Sequence, residues 1–453
     1  MSASTDRPSD GGYRGGAAVL SAGIGVTGLV TYAYFALASY ALDDVSYGRV
    51  TLLWSAVFIV VSVLYRPVEQ LLSRTIAERD ARGQEGREHL RVASYVQLAL
   101  AVAFLVPALV FADALRDGLL GGSSTLYLVL VVAVLAYAAS YYARGFLAGR
   151  RRFGLYGALV LMESLSRVLF ALAAAIGLGQ GQSVVAIGIA AAPIVSLAVV
   201  PLAIARGLRR EGDAGRRAAA GRESDGGRSA DLDDAAGAPR AGAETEFTLA
   251  RGGSFAAAVL VIMLAEQTFL NAGPLLVYAS SGAGGPVLAG LVFNVLLIAR
   301  APLQLFQAVQ TSILPHLTTL SARGASDPFR RSVKVTLAAI AAFAGAVALG
   351  LLAIGPHLMD VVFEDDFTYG RGGLLLVALG MGLYLAAATL NQAALARGRA
   401  RSAAGAWSVS AVAFVAALLV PGADDRVLQV QVAFCGGAAA LCALLYLLYR
   451  ADR

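Results

Sequence analysis

Residues 125–147 read TLYLVLVVAVLAYAASYYARGFL, an almost wholly apolar run long enough to cross the hydrocarbon of a bilayer. Eleven more such runs fill nearly all of the 453 residues. Read from hydropathy, the spans are 17–42, 50–73, 92–112, 125–147, 155–178, 184–205, 252–279, 287–314, 334–355, 373–395, 403–420 and 428–449. In lipid, backbone polar groups must be satisfied within the segment, so these runs predict helices. Alternating segments of about 10 residues, which a barrel would need, do not occur. The hydrophobic fraction of 58% against a charged fraction of 15% agrees, as does a mean hydropathy of +0.69. The expected class is an all-α polytopic membrane protein of about twelve helices.

Arginine placement predicts orientation. The even-numbered loops are basic: Arg79, Arg82, Arg87 and Arg91; Arg150 to Arg152; Arg206, Arg209 and Arg210; Arg323, Arg330 and Arg331; Arg397, Arg399 and Arg401. The odd-numbered loops pair single arginines (Arg49, Arg116, Arg371, Arg426) with acids. Both termini are therefore expected in the cytoplasm, with the chain multi-pass in the cytoplasmic membrane. The net charge of +6 is largely this orientation signal, with attraction to anionic inner-leaflet lipid, and does not point to nucleic acid. Cys435 and Cys442 fall i,i+7 on the last span and suggest neither disulfide nor metal; His89, His316 and His357 have no metal-ligand company. No cofactor is expected.

Residues 206–250 are rich in Gly, Ala, Arg, Asp and Glu and predict a disordered cytoplasmic linker. It divides the chain into an N-lobe (17–205) and a C-lobe (251–449), with residues 1–16 expected disordered and 450–453 a cytoplasmic tail. The halves echo one another. Arg66-Pro67-Val68-Glu69-Gln70-Leu71 is similar to Arg300-Ala301-Pro302-Leu303-Gln304-Leu305, and Leu147-Ala148-Gly149-Arg150-Arg151 to Leu395-Ala396-Arg397-Gly398-Arg399. Six spans per half make the repeats parallel, related by an axis along the membrane normal.

Charges inside a membrane are costly, so each has two readings. Arg66 with Glu69, beside Pro67, is a pair snorkelling to the inner interface or a functional pair. Glu163 and Arg167, at i,i+4, read as an internal salt bridge. Glu266, with Gln267 and Asn271, is a proton-coupling site or a neutral acid bonded within the bundle. Arg300 begins a polar stripe with Gln304, Gln307 and Gln310; it pairs with Glu266 or binds an anionic headgroup bidentately. Arg66 and Arg300 at echoed positions would both point into one cavity. Substrate binding is thus expected at Arg66, Arg300, Gln304 and Asn271, and ion coupling at Glu266.

Arg144-Gly145-Phe146-Leu147-Ala148-Gly149-Arg150-Arg151-Arg152-Phe153-Gly154-Leu155-Tyr156, followed by Glu163 and Arg167, resembles the segment after the fourth span of polysaccharide transporters. These belong to the multidrug/oligosaccharidyl-lipid/polysaccharide exporter superfamily. Asn391 to Gly398 and Asn271-Ala272-Gly273-Pro274 are also similar to theirs. The resemblance implies two bundles in a V, with the first, second, seventh and eighth helices lining a central cavity. It implies an ion-driven flippase for lipid-linked oligosaccharides on polyprenyl pyrophosphate, working beside glycan-assembly enzymes. Drug-exporting members commonly carry an acid in the first span, and Ala17 to Leu42 has none. A small-molecule exporter on the same fold is the alternative. An enzyme is not expected: no convergent catalytic groups and no Gly-rich Walker loop with a lysine occur.

Overall fold

The computed structural model describes residues 10–81, 88–198, 201, 249–298, 326–363, 369–421 and 425–451. Arg300, Gln304 and the echo at 300–305 lie outside these residues, as do 1–9, the linker stretch 202–248 and the last two residues of the expected tail.

Among the described residues, apart from one turn of 3-10 helix and one of π-helix, the regular elements are α-helices. The first six spans are α1 (Asp10–Ala41), α2 (Asp44–Leu64) continued by α3 (Arg66–Ala81), α4 (Glu88–Val110), α5 (Ser124–Gly149), α6 (Phe153–Ala175) and α7 (Gln182–Ser196). The second six are α8 (Leu249–Ser280), α9 (Gly285–Ile298), α10 (Ser326–Val362), α11 (Arg371–Ala396), α12 (Ala400–Leu419) and α13 (Arg426–Arg450). Among the described residues nine spans are long and apolar enough to cross a membrane, counting Asp44–Ile76 as one. α7 and α9 are shorter apolar helices. α1 begins at Asp10 and α8 at Leu249, so part of the stretches 1–16 and 206–250 expected to be disordered is helical.

Local chemistry sets the boundaries. Asp43 caps α2 by accepting from the Ser46 amide at 3.0 Å, and this bond holds its carboxyl below the usual range. Ser123 caps α5 and Asp425 caps α13 in the same way, at 3.3 and 2.9 Å. The second span breaks at Tyr65 because Pro67 has no amide hydrogen to give the carbonyl one turn back. That break places Arg66 at the head of α3.

The helices form two bundles with one packing plan. α1 packs on α6 as α8 packs on α12; α4 on α5 as α10 on α11; α5 on α7 as α11 on α13. The turns joining the fourth and fifth spans of each half repeat bond for bond. The Arg152 amide donates to Leu147 O at 2.8 Å and Arg151 to Ala148 O; the Arg399 amide donates to Ala394 O at 2.9 Å and Gly398 to Leu395 O. The left-handed position is Arg151 (φ 54°) in one turn and Gly398 (φ 74°) in the other. Arg150 therefore matches Arg397, a register one residue away from the one the sequence strings suggest.

The bundles meet along α2. It packs on α8, and near its start it crosses α9. A Cβ on Gly48 would lie 1.8 Å from the Pro286 carbonyl oxygen, so only glycine at position 48 permits this crossing. Tyrosine hydroxyls stitch the same seam: Tyr32 donates to Leu297 O, Tyr47 to Asn294 Oδ1, Tyr40 to Val361 O at 2.9 Å and Tyr278 to Gly118 O at 2.8 Å. Phe35 stacks obliquely on Phe293, with ring centroids 4.5 Å apart.

Candidate functional site

Arg66 projects from the break in the second span toward α8 of the other bundle. Its Nη1 lies 4.0 Å from Glu266 Oε1, and the two side chains are 33% and 24% exposed. This ion pair joins the lobes. The sequence offers Arg300 as the partner of Glu266; among the described residues its partner is Arg66.

Behind Arg66 the N-lobe carries a polar cluster. Glu163, 2% exposed, receives Arg144 of α5 as its ion partner and hydroxyl bonds from Ser140 and, at 3.3 Å, Ser196. The i,i+4 bridge from Glu163 to Arg167 is thus not the pairing found. Arg167 turns away, donating to Tyr137 Oη at 2.7 Å and Ser164 Oγ at 2.8 Å, with its guanidinium 5.1 Å above the Trp54 ring. Helical spacing permits a pair but does not require one; here a neighbouring helix supplies the better-placed cation. Glu69 accepts from the Tyr156 hydroxyl at 2.8 Å and makes no ion pair among the described residues.

Three guanidiniums (Arg66, Arg144, Arg167) stand against two carboxylates (Glu69, Glu163) in this cluster, leaving one positive charge. Glu266 of the other lobe balances it. Two matched positions of the C-lobe are neutral. With Arg150 matched to Arg397 the same register places Asn391 opposite Arg144 and Ser410 opposite Glu163. Asn391 accepts from Trp407 Nε1 at 3.2 Å instead of bridging to an acid. Among the described residues the site is therefore asymmetric: the N-lobe side carries three guanidiniums and two carboxylates, the C-lobe side the one carboxylate of Glu266 beside aromatic and amide groups.

Asn271 is buried, 4% exposed, and donates to Gln267 Oε1 at 2.8 Å, one turn below it on α8. Tyr384 of α11 is buried with its hydroxyl unpartnered among the described residues, and its ring packs edge-on to Phe269 and Trp407. Sequence reasoning quoted Arg144 only as part of a motif and missed its role. An arginine inside the apolar run 125–147 was the available sign, since such a charge needs a partner. Tyr156, Ser140, Ser196 and Tyr384 gave no such sign, because hydroxyls at these positions look like ordinary lining of a helix.

No metal-binding group of three or more His, Cys, Asp or Glu occurs among the described residues. The arrangement suits binding and exchange of ion partners rather than bond chemistry. Neither a sequence-family profile nor any curated protein matches the chain. Solved structures do. The chain is similar to a point mutant of the Vibrio cholerae MATE transporter VcmN at 14% identity and a TM-score of 0.61, covering 97% of each chain. It is similar to a multidrug resistance MATE family transporter of the MOP superfamily in its inward-facing conformation (13%, 0.62, covering 96% of this chain and 98% of that). The outward-facing conformation of such a transporter matches equally well (13%, 0.63, 97% and 96%). The chain therefore has the all-helical, two-bundle fold of the MATE transporters.

Proposed function

We propose that the chain is an alternating-access exporter whose cargo carries an anionic headgroup, of the kind found on polyprenyl-pyrophosphate-linked oligosaccharides and polysaccharide precursors. The observation that carries this reading is the Arg66–Glu266 pair across the two lobes, backed by an N-lobe cluster whose one excess positive charge is balanced by Glu266 of the other lobe. A phosphate oxygen competes for Arg66 with the Glu266 carboxylate, since both offer the same geometry to a guanidinium. Binding of cargo then breaks a bond that holds the lobes together, which links occupancy to lobe motion. Both termini lie in the cytoplasm in this reading, the headgroup enters from that side, and the lipid tail stays in the bilayer.

A multidrug-type exporter is the second reading, favoured by the fold shared with the multidrug MATE structures. A cationic drug cannot replace Glu266 as the counter-charge of Arg66, which favours the anionic cargo. The test uses proteoliposomes holding a fluorescent polyprenyl-pyrophosphate-linked sugar or a cationic dye. We expect the lipid-linked sugar to be translocated and Arg66→Gln to slow it by about tenfold or more, the loss of a charge-assisted hydrogen bond. Transport of the dye alone, or full activity in Arg66→Gln, would reject the reading.

A further inference from the structure

Of the three carboxylates around Arg66, two have a guanidinium and one does not. Glu163 has Arg144 and Glu266 has Arg66, whereas Glu69 has only the Tyr156 phenol. Glu69 is partly buried on α3. The charged groups acting on it are Arg144, Arg66 and Glu163. The titratable groups turned toward this cluster from the packed helices are Tyr65 at the end of α2, Tyr137 and Tyr141 on α5, Tyr156 on α6 and, beside Arg66 and Glu266, Tyr384 on α11. α4 meets α3 through Leu72, Ile76 and Ala93, and its His89 lies near Arg79 and Asp80, at the other end of α3 from Glu69. A proton on Glu163 would strand Arg144 and one on Glu266 would strand Arg66, whereas a proton on Glu69 breaks no ion pair among the described residues.

Arg66 sits three residues before Glu69 on the same helix, the spacing at which side chains meet. It therefore has two carboxylates within its sweep, one on each side of the seam. We propose that Glu69 carries the coupling proton of transport, with Arg66 toggling between Glu266 and Glu69. The proposal rests on the exporter reading above. With Arg66 on Glu266 the lobes are tied and Glu69 holds a proton. When the lobes part at this end, Arg66 falls back onto Glu69, whose proton leaves to the water entering the seam. Glu266 is then solvated by that water, while Glu69 remains packed against α6. Each cycle takes a proton from one side onto the Glu69 carboxylate and returns it on the other, so the sign of coupling follows from one arginine having two partners.

The test reads lobe separation against pH. Spin labels are placed at the exposed positions Gln70 on α3 and Ser402 on α12, with Cys435 and Cys442 replaced by serine, and distances are measured in nanodiscs. We expect the native sequence to lengthen as pH rises, Glu69→Gln to stay short at every pH, and Glu266→Gln to stay long. Tyr156→Phe, which removes the one bond stabilising the Glu69 anion, should fold normally and move the midpoint up by about one pH unit. If Glu69→Gln titrates like the native sequence, or Tyr156→Phe leaves the midpoint in place, the proton is not on Glu69 while the exporter reading stands. If no variant changes distance at any pH, both fall.

Discussion

Arg151 occupies the left-handed region at φ 54°, where a side chain costs about 1–2 kcal/mol, and the matching turn of the other half uses Gly398. Arg151→Gly should therefore stabilise the protein by about 1 kcal/mol, less the extra chain entropy of glycine, and raise its unfolding temperature in detergent. The same turn shows what single residues reveal in a sequence. Matching the arginine-rich strings found the right pair of turns but slipped by one residue, because helix ends are fixed by backbone bonds and not by which residues recur. Glu163 and Arg167 carry a similar lesson. Their spacing on one helix face was legible; the Arg144 guanidinium that takes the acid comes from another helix, and no local pattern encodes that.

At the scale of helices, the crossing of α2 and α9 is the tightest point between the lobes. The obstacle to a Cβ at Gly48 is a backbone carbonyl, which cannot rotate aside as a side chain would. Gly48→Val should push the helices apart, costing at least about 1–3 kcal/mol, and expose Asn294, which is fully buried. A cysteine at Asn294 in a cysteine-free background should then react with a water-soluble thiol reagent at least several-fold faster than with Gly48 intact. An unchanged rate would mean that the seam opens elsewhere. Most described span ends were readable to within a few residues, since length, apolarity and capping side chains are local, while the first, second and ninth spans run further as helices than the apolar runs alone suggest. The bend at Tyr65 was not, although Pro67 was in plain view: a proline permits a kink, and packing of α3 on α5 decides that it happens.

At the scale of the molecule, six spans per half required parallel repeats, and the two bundles share one packing plan. Each lobe satisfies most of its contacts internally. Co-expressed halves, 1–225 and 226–453, should therefore associate and co-purify, and Arg66→Gln in the first half should weaken that association measurably. Pairing across the lobes was beyond reach of the sequence. Reading along the chain offers Glu266 the Arg300 of the next span, which lies outside the described residues; in space the break after Tyr65 delivers Arg66 to it from the other half.

This pairing has a consequence for biogenesis. A ribosome delivers Arg66 two hundred residues before Glu266, an interval of roughly 10–40 s at ordinary synthesis rates. During that time the newborn first half sits in the membrane with only Glu69 of its own helix to set against the Arg66 guanidinium. Chains that stall or terminate before the seventh span would keep Arg66 without its cross-lobe partner, a feature by which membrane proteases and insertion chaperones can tell an unfinished product from a complete one.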